Sequence, residues 1–262
     1  MTEVMRTCAS KIPRVSSVGD PAEEESEARH VRACVVVPAF NEERSVGQLV
    51  EALRRVLPVA EVVVVDDGCS DGTAEVARRS GATVVSLPVN LGIGGAVQAG
   101  FRYAVREGFS VAVQVDGDGQ HDPGEVPRLL RAVVSGGADV AIGSRWLGRG
   151  DYCAPTNRRF GMWVLMWLVR WRTGQRFTDT TSGFRAVGPR ALHLFAATYP
   201  GDFPEVESIV IAKRAGLTVS EVPVRMSKRE YGRSSIAGWR SAYYMARVGM
   251  ALVLGGPGPR ER

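Results

Sequence analysis

The chain has 262 residues, of which 45% are hydrophobic and 23% are charged, so it can form one globular core with appendages. None of its four cysteines forms a Cys-x-x-Cys pair, which argues against a disulfide framework or a zinc site and favours reduced thiols inside a cell. The net charge is +5, arginine greatly outnumbers lysine, and this balance suits nucleic acid, an anionic membrane or a phosphorylated substrate.

The first half of the chain predicts an alternating α/β domain. Residues 1–31 are polar and lack an apolar run, so we expect a disordered tail and no signal peptide. From residue 32, short Val-rich runs alternate with segments of helical periodicity. Strands are predicted at 33–37, 61–65, 83–87, 111–115 and 140–142, and helices at 43–56, 73–80, 94–107 and 125–135. This order predicts a mostly parallel sheet over 32–145, covered by helices on both faces.

The second half is less regular. An apolar, Trp-rich stretch lies at 160–171. It is followed by a predicted helix at 203–215, a predicted strand at 218–225, a basic loop at 226–235 and an aromatic segment at 236–262. No uninterrupted apolar run reaches about 18 residues, so no transmembrane helix is predicted. The arginines within 239–254 favour an interfacial helix there. Trp163, Trp167 and Trp171 recur every four residues and suit either lipid headgroups or a core or dimer interface.

An acidic loop follows the predicted strand at 111–115. Its sequence is Asp116-Gly-Asp118-Gly-Gln120-His121. Two carboxylates two residues apart at a strand end can converge on one point, where they would repel unless a cation sits between them. Hard oxygen donors suit Mg²⁺ or Mn²⁺, and such a cation is usually coordinated by substrate phosphates as well as by the protein. The alternative is an acidic turn that uses glycine for its positive φ.

Polar residues also follow the first two predicted strands. Pro38 ends the first strand, and Asn41 and Glu42 come directly after it. Asn41 either faces a ligand or caps the next helix. Asp66 and Asp67 follow the second strand, where acids accept hydrogen bonds from ribose or a base in nucleotide-binding sheets. Three strands therefore deliver polar groups to one edge of the sheet.

A glycine-rich segment follows the third predicted strand. Its sequence is Asn90-Leu-Gly92-Ile-Gly94-Gly. Val97 occupies the position of the third glycine of a dinucleotide fingerprint, so a nicotinamide cofactor is not expected. Gly94 either lets the chain pass close to a nucleotide or allows tight packing of a helix.

Basic residues are candidates for phosphate contacts. Ser144 and Arg145 follow the fifth predicted strand, Arg158 precedes the Trp-rich stretch, and Lys228 and Arg229 lie in the late basic loop. Arginine binds phosphate through a planar fork of donors. Individually each of them also suits a solvated surface, but as a set they favour an anionic ligand.

Seven motifs in order make the chain resemble a family 2 glycosyltransferase. They extend over about residues 32–240 and read Val-Val-Pro38-Ala-Phe-Asn41-Glu42, Val-Asp66-Asp67-Gly-Cys-Ser-Asp71-Gly-Thr73, Asn90-Leu-Gly-Ile-Gly94, Asp116-Gly-Asp118-Gly-Gln120-His121, Gly143-Ser-Arg145, Thr181-Ser-Gly-Phe-Arg185 and Glu205-Val-Glu207. The similarity is strongest to synthases that place mannose or glucose on dolichyl or other polyprenyl phosphates.

This resemblance implies a Rossmann-like GT-A fold over residues 32–235 and a set of site residues. Asp116, Asp118 and Arg145 would be catalytic. A Mg²⁺ or Mn²⁺ ion would be bound by Asp116, Asp118 and Gln120. The nucleotide would lie against Pro38, Asn41, Glu42, Asp66, Asp67 and Gly94. The acceptor phosphate would be held by Ser144, Arg145, Arg158, Lys228 and Arg229.

The resemblance also implies substrates and a location. The donor would be a nucleotide sugar of the GDP-mannose or UDP-glucose type, with mannose favoured, and the acceptor a polyprenyl phosphate. The enzyme would be cytoplasmic and bound peripherally to the cytoplasmic face of a membrane, without a nucleic-acid partner. Two alternatives stay open: a family 2 transferase that acts on a soluble hydroxyl acceptor, and a nucleotide-sugar-binding protein without turnover.

Overall fold

A seven-stranded sheet forms the centre of the structure. The computed structural model describes residues 31–147, 156–201 and 204–226. The strands are β1 (Ala33–Ala39), β2 (Glu61–Asp66), β3 (Thr83–Ser86), β4 (Val111–Gln114), β5 (Val140–Ser144), β6 (Arg185–Val187) and β7 (Val219–Pro223). Their order in the sheet is β3-β2-β1-β4-β6-β5-β7. Only β6 runs antiparallel to its neighbours, β4 and β5.

Seven α-helices connect or flank these strands in the described residues. They are α1 (Val46–Val56), α2 (Thr73–Arg79), α3 (Gly92–Arg106), α4 (Val126–Val134), α5 (Thr156–Thr173), α6 (Pro189–Ala197) and α7 (Pro204–Arg214), with a 3₁₀ turn at Pro123–Glu125. Helix α1 shows why they form. Its buried residues are Val46, Leu49, Val50 and Leu53, a spacing that places one apolar stripe on the sheet.

Alternating residues of each strand supply two cores, one on each face of the sheet. On β1, Cys34 and Val36 belong to the core that includes Phe101 of α3, while Val35 and Val37 belong to the other. Helices α3, α5, α6 and α7 cover the first face, and α1, α2 and α4 cover the second. Both faces are therefore buried, which explains why the strands are continuous Val-rich runs.

The predicted mostly parallel α/β sheet is confirmed, but the prediction gave it too few strands. All five predicted strands of the first half are present, and the strand predicted at 218–225 is β7. The sheet does not end at residue 145, because β6 and β7 extend it. Strand β6 was not predicted, since it has three residues and pairs with strands far away in sequence. Short runs of this kind carry no periodicity of their own.

Helix starts differ from the predictions by a few residues. Helix α1 begins at Val46 rather than at residue 43, with Ser45 at its N-cap position. The alternative that Asn41 caps this helix is therefore wrong. Helix α3 begins at Gly92 rather than Gly94, and the apolar, Trp-rich stretch at 160–171 lies within α5, which begins at Thr156.

In the part of the chain that the structure describes, no helix combines the length and apolarity needed to cross a membrane. Several predictions fall outside that part. They concern the disordered tail up to residue 30, most of the basic loop at 226–235 and the aromatic segment at 236–262.

Close packing of α3 on β1 generates a stability prediction. A Cβ added at Gly100 would lie 2.2 Å from Cγ1 of Val36, which has no exposed surface. Overpacking costs about 1–3 kcal/mol, and so close an approach to a fully buried side chain favours the upper part of this range, above the roughly 1 kcal/mol that alanine gains over glycine in a helix. We expect Gly100→Ala to lower the free energy of unfolding by about 1–2 kcal/mol in urea denaturation.

Gly201→Ala is the control for this measurement, since an added Cβ there would meet nothing within 4 Å. A Gly100→Ala protein as stable as the control would contradict the close approach of α3 to β1.

Candidate active site

The topology brings several loops to one edge of the sheet. The chain leaves β1 toward β2 on one side and reaches β4 on the other, so β1 and β4 form the switch point where open α/β sheets bind ligands. The loops after β1, β2, β4 and β5 all lie at this edge, because these strands are parallel. Strand β6 is antiparallel, so the residues that precede Arg185 come to the same edge.

The loop after β1 is tied to the loop after β2. Asn41 adopts a left-handed conformation with φ of 55°. Its side-chain oxygen accepts a hydrogen bond from the backbone N of Ser70 at 2.9 Å, and its backbone N donates to Sγ of Cys69 at 3.2 Å. The backbone N of Glu42 donates to Oγ1 of Thr73 at 2.8 Å. Asn41 and Glu42 therefore form the rim of the switch point rather than a helix cap.

Pro38 and Gly94 lie deeper than a rim position. The prediction that Pro38 ends the first strand is wrong, because Pro38 is a buried residue within β1, paired with Val65. Gly94 is buried in α3, where an added Cβ would lie 2.1 Å from the carbonyl oxygen of Pro200. The packing of α3 on residues 200–201 explains this glycine without a ligand. A nucleotide contact stays a prediction for both residues.

The two acids at the end of β2, Asp66 in the strand and Asp67 directly after it, organise the neighbouring backbone. Oδ1 of Asp66 accepts from the backbone N of Cys69 at 2.8 Å. The carboxylate of Asp67 accepts from the backbone N of Leu91 at 2.7 Å and of Gly92 at 3.0 Å, at the start of α3. Burial raises the pKa of Asp67, as does the charge of Asp66, while these two backbone N–H groups lower it. Both acids therefore shape the backbone at this edge of the sheet, and direct nucleotide contact stays a prediction.

Asp116 is held from three sides. Its Oδ1 accepts from Nε2 of Gln114, the last residue of β4, at 3.1 Å. Its backbone N donates to Nδ1 of His121 at 3.0 Å, and Nε2 of that imidazole lies 3.6 Å from Oδ2. Because Nδ1 accepts, a neutral His121 carries its hydrogen on Nε2, toward the carboxylate. The imidazole is buried and stacks on the ring of Phe184 with a centroid distance of 4.7 Å.

Asp118 lies deeper than Asp116 in the same loop. Asp116 is partly exposed, whereas Asp118 is buried and accepts from the backbone N of Gln120 at 3.0 Å. Oγ of Ser45 lies 2.8 Å from the carbonyl oxygen of Gly117 and 2.9 Å from Oε2 of Glu42, and can donate to either. The loops after β1 and β4 therefore meet through Ser45.

The carboxylates of the acidic loop are suited to a metal site in which a substrate supplies the remaining ligands. Asp116 and Asp118 offer hard carboxylate oxygens, which Mg²⁺ and Mn²⁺ prefer. Within residues 31–147, 156–201 and 204–226, no group of three or more His, Cys, Asp and Glu side chains could hold a metal ion. Mg²⁺ is commonly bound by one or two carboxylates together with substrate phosphates, so the pair fits a metal-diphosphate site.

Arg145 already has a carboxylate partner. Its Nε and Nη2 each donate to Asp179 at 2.7 Å, its backbone N donates to the same carboxylate at 3.2 Å, and Nη2 also donates to Oγ1 of Thr181 at 3.0 Å. Asp179 has no exposed side-chain surface, and Arg145 keeps 19% of its own. The charge of Arg145 is thus locally balanced.

The other predicted acceptor residues have different outcomes. Ser144 has no exposed surface, and its Oγ lies 2.7 Å from Oγ1 of Thr178, so it supports the loop instead of facing the edge. Position 158 lies in α5, but its side chain is outside the described residues, as are Lys228 and Arg229 entirely.

One segment lies against two of the three predicted catalytic residues, Asp116 and Arg145, and sequence reasoning did not assign it to the site. Asp179 and Thr181 bind Arg145. Two residues further along, an added Cβ at Gly183 would lie 2.8 Å from Oδ2 of Asp116. The Thr-Ser-Gly sequence before Arg185 was a signal for this segment, whereas the Arg145 partner could not be read from the sequence.

A buried arginine, Arg185, holds the segment at 179–183 in place. Arg185 is 3% exposed and donates to the carbonyl oxygen of Ser182 at 2.8 Å and to Oγ of Ser208 at 2.6 Å. It also donates to the carbonyl oxygen of Glu205 at the start of α7. Burial raises the pKa of the Glu205 carboxyl, and the charge of Arg185 opposes that shift. The segment at 179–183 is therefore fixed to both β6 and α7.

The fold defines a class of protein. A mostly parallel sheet with one antiparallel strand beside an acidic switch-point loop is a GT-A-like α/β fold. It matches solved structures of glucosyl-3-phosphoglycerate synthase from Mycobacterium tuberculosis, among them a complex with Mn²⁺, UDP and phosphoglyceric acid. That match has a TM-score of 0.67 at 22% identity and covers 92% of this chain and 83% of the other.

Sequence comparison is more specific. The model of glycosyl transferase family 2 matches residues 34–198, more than half of the chain. The chain belongs to this family and is a glycosyltransferase. It is 36% identical to undecaprenyl-phosphate mannosyltransferase of Micrococcus luteus, over 79% of this chain and 88% of the relative. It is 33% identical to polyprenol monophosphomannose synthase of Mycolicibacterium smegmatis, over 79% of this chain and 82% of the relative.

Contact between Gly183 and Asp116 generates a prediction about activity. An added methyl group at Gly183 would meet Oδ2 of Asp116 at 2.8 Å and Nε2 of Gln114 at 3.0 Å. These atoms end flexible side chains, so the fold can adjust at little cost while the carboxylate moves. We expect Gly183→Ala to lower glycosyl transfer by about tenfold to a hundredfold with little change in Tm, since a displacement near 1 Å has effects of that size.

Gly188→Ala is the matched control, because its added Cβ would lie 2.9 Å from Cγ1 of Val133, and Gly188 lies beside Asp139 at the opposite edge of the sheet. That variant should lose stability more than specific activity. The reverse ranking of the two variants would contradict the role of Gly183.

Proposed function

We propose that this enzyme transfers a hexose, with mannose favoured, from a nucleotide sugar to a polyprenyl phosphate with inversion at the sugar carbon. The observation that carries the proposal is the segment at 179–183, which contacts Asp116 at one end and Arg145 at the other. It supports a diphosphate site and a phosphate site side by side. The names of two relatives, an undecaprenyl-phosphate mannosyltransferase and a polyprenol monophosphomannose synthase, support the same acceptor class.

The proposed reaction needs positioning more than acid-base chemistry. A phosphate monoester oxygen is anionic near neutral pH, so it attacks the anomeric carbon without a general base. The bond from that carbon to the nucleoside diphosphate breaks as the new bond forms, which inverts the configuration. The protein then has to hold two anions close together and in line.

The acidic loop would bind the donor's diphosphate. Asp116, Asp118 and Gln120 would hold Mg²⁺ or Mn²⁺, which supplies Lewis-acid neutralisation of the leaving diphosphate when bound. Gln114 and His121 keep the carboxylate of Asp116 oriented, through contacts of 3.1 Å from Nε2 of Gln114 to Oδ1 and 3.6 Å from Nε2 of His121 to Oδ2. The interlocked loops of Asn41 and Glu42 would receive the nucleoside at the switch point.

Arginine and lysine residues would receive the acceptor phosphate. Arg145 presents a partly exposed guanidinium at the end of β5. Its pairing with Asp179 means that it contributes directed N–H donors more than net charge. Arg158, Lys228 and Arg229 would supply the remaining positive charge.

The role of Asp118 can be tested directly. We expect Asp118→Asn to lower transfer to a short polyprenyl phosphate by about a hundredfold or more in saturating Mn²⁺, the size expected when one charge-stabilising group is lost. The measurement is release of nucleoside diphosphate from a panel of nucleotide sugars, with the lipid product weighed by mass spectrometry. Phosphoglyceric acid serves as a soluble acceptor in a parallel reaction.

Asp122→Asn is the control, since Asp122 lies in the same loop but its Oδ1 accepts from the backbone N of Gly124 at 2.8 Å and caps the 3₁₀ turn. Its transfer rate should stay near wild type. Full transfer by Asp118→Asn in excess chelator would rule out the proposed metal site, and transfer only to the soluble acceptor would rule out the lipid.

We also propose that the enzyme binds peripherally to the cytoplasmic face of a membrane, and a row of exposed tryptophans supports contact with a membrane. Trp163, Trp167 and Trp171 of α5 are 59%, 55% and 60% exposed, whereas Leu165 and Val169 of the same helix are buried. Their spacing places them on one face of the helix, and their exposure excludes a core position. The exposed residues Arg170 and Arg176 are nearby in sequence and suit anionic headgroups.

We expect the triple variant Trp163→Ala, Trp167→Ala, Trp171→Ala to bind anionic phosphatidylglycerol vesicles at least about tenfold more weakly in sedimentation, because burying even one large apolar side chain contributes about 1.5 kcal/mol or more. Its Tm should change little, since all three side chains are exposed.

Val59→Ser removes an apolar side chain that is 96% exposed elsewhere and serves as the control. Vesicle binding equal to wild type in the triple variant would exclude this face as the membrane contact.

A further inference from the structure

We infer that Asp179 is a positioning residue, which fixes the plane of the Arg145 guanidinium toward the acceptor phosphate. This inference rests on the proposed function, because it assumes that Arg145 serves the acceptor. Asp179 would then influence acceptor binding without contacting the substrate itself. This role gives a physical reason for burying a carboxylate beside an anion-binding site.

The hydrogen bonds between Arg145 and Asp179 fix the orientation of the Arg145 guanidinium. Asp179 accepts from Nε and Nη2 of Arg145 at 2.7 Å each, which is the parallel two-bond arrangement of a guanidinium and a carboxylate. The backbone N of Arg145 donates to the same carboxylate at 3.2 Å. Thr181 adds a fourth contact, from Nη2 at 3.0 Å. Backbone and side chain of Arg145 are thus bound to one carboxylate, which leaves the guanidinium plane little freedom.

Asp179 is itself held by a second acid. Glu221 lies on β7, where it pairs with Ile142 of β5. Its carboxylate accepts from the backbone N of Asp179 at 2.7 Å and from the backbone N of Thr178 at 2.8 Å. Oγ1 of Thr178 also donates to it at 2.9 Å. The orientation of Arg145 is therefore transmitted from the rigid sheet through Glu221 and Asp179.

Stability alone does not account for this arrangement. Buried ion pairs are often no more stabilising than apolar residues of similar volume, because desolvation offsets their attraction. A carboxylate near an anionic substrate also repels it. Correct orientation of a reacting group, by contrast, has a large effect on rate and on substrate use. Positioning is the benefit that fits a fully buried Asp179 beside a partly exposed Arg145.

The test is Asp179→Asn, which keeps the shape of the side chain and removes its charge and one acceptor oxygen. We expect the KM for polyprenyl phosphate to rise by about tenfold to a hundredfold, the size of effect expected for a misplaced group. Binding of the nucleoside diphosphate, measured by calorimetry, should stay at the wild-type value. The matched control is Asp139→Asn. Asp139 precedes β5 at the opposite edge of the sheet and binds Nη1 of Arg190 at 3.3 Å.

A double-mutant cycle with Arg145→Ala separates positioning from a merely structural role. In the Arg145→Ala background, Asp179→Asn should cause no further rise in acceptor KM. A wild-type acceptor KM in Asp179→Asn, or equal losses of acceptor use and nucleotide binding, would overturn the inference.

Failure of the proposed function has a different signature. If Arg145→Ala itself leaves the acceptor KM unchanged, the acceptor role of Arg145 is wrong. If Arg145→Ala raises that KM while Asp179→Asn does not, only the positioning role is wrong. Should Asp179→Asn not fold, Glu221→Gln tests the same chain of contacts, with the same expected rise in acceptor KM and the same contradicting result.

Discussion

The antiparallel insertion of β6 between β4 and β5 is the constraint on which the site depends. In an all-parallel sheet, a segment that precedes a strand lies at the edge away from the ligand. Because β6 runs the other way, residues 179–183 enter the edge where the acidic loop and Arg145 lie. The pairing of Gln114 with Arg185 then places Gly183 against the Asp116 carboxylate. One reversed strand thus joins the acidic loop, which we propose binds the donor, to Arg145, which we propose binds the acceptor.

The carboxylates gathered at this edge repel one another, so each needs stabilising contacts. Backbone N–H groups provide most of these contacts. Asp66, Asp67 and Asp118 each accept at least one backbone hydrogen bond, from Cys69, from Leu91 and Gly92, and from Gln120. Hydrogen bonds to a charged carboxylate stabilise it without a counter-ion. Arg185 supplies a buried positive charge behind the edge. The protein can therefore hold several acids close together in one structure.

Residues differ in how far their roles could be predicted. The acids after β2 and β4 were predictable, since buried Val-rich strands end immediately before them and the carboxyl edge binds ligands. Asn41 was placed correctly at that edge, but its left-handed backbone and its bond to Ser70 were not predictable from one residue type. For Ser144 and Arg145 the position was predicted and the surroundings were not. Their partners, Thr178 and Asp179, lie 34 residues away in sequence.

Amino-acid order by itself determined the class of fold, the edge at which polar groups gather and the family of the enzyme. These follow from local periodicity and from short motifs, both of which are carried by neighbouring residues. Tertiary structure alone decided the place of β6, the pairing of Arg145 with Asp179 and the exposure of the tryptophans on α5. The physical reason is that a three-residue strand or a buried ion pair is stabilised by partners far away along the chain. No local pattern records which partners those are.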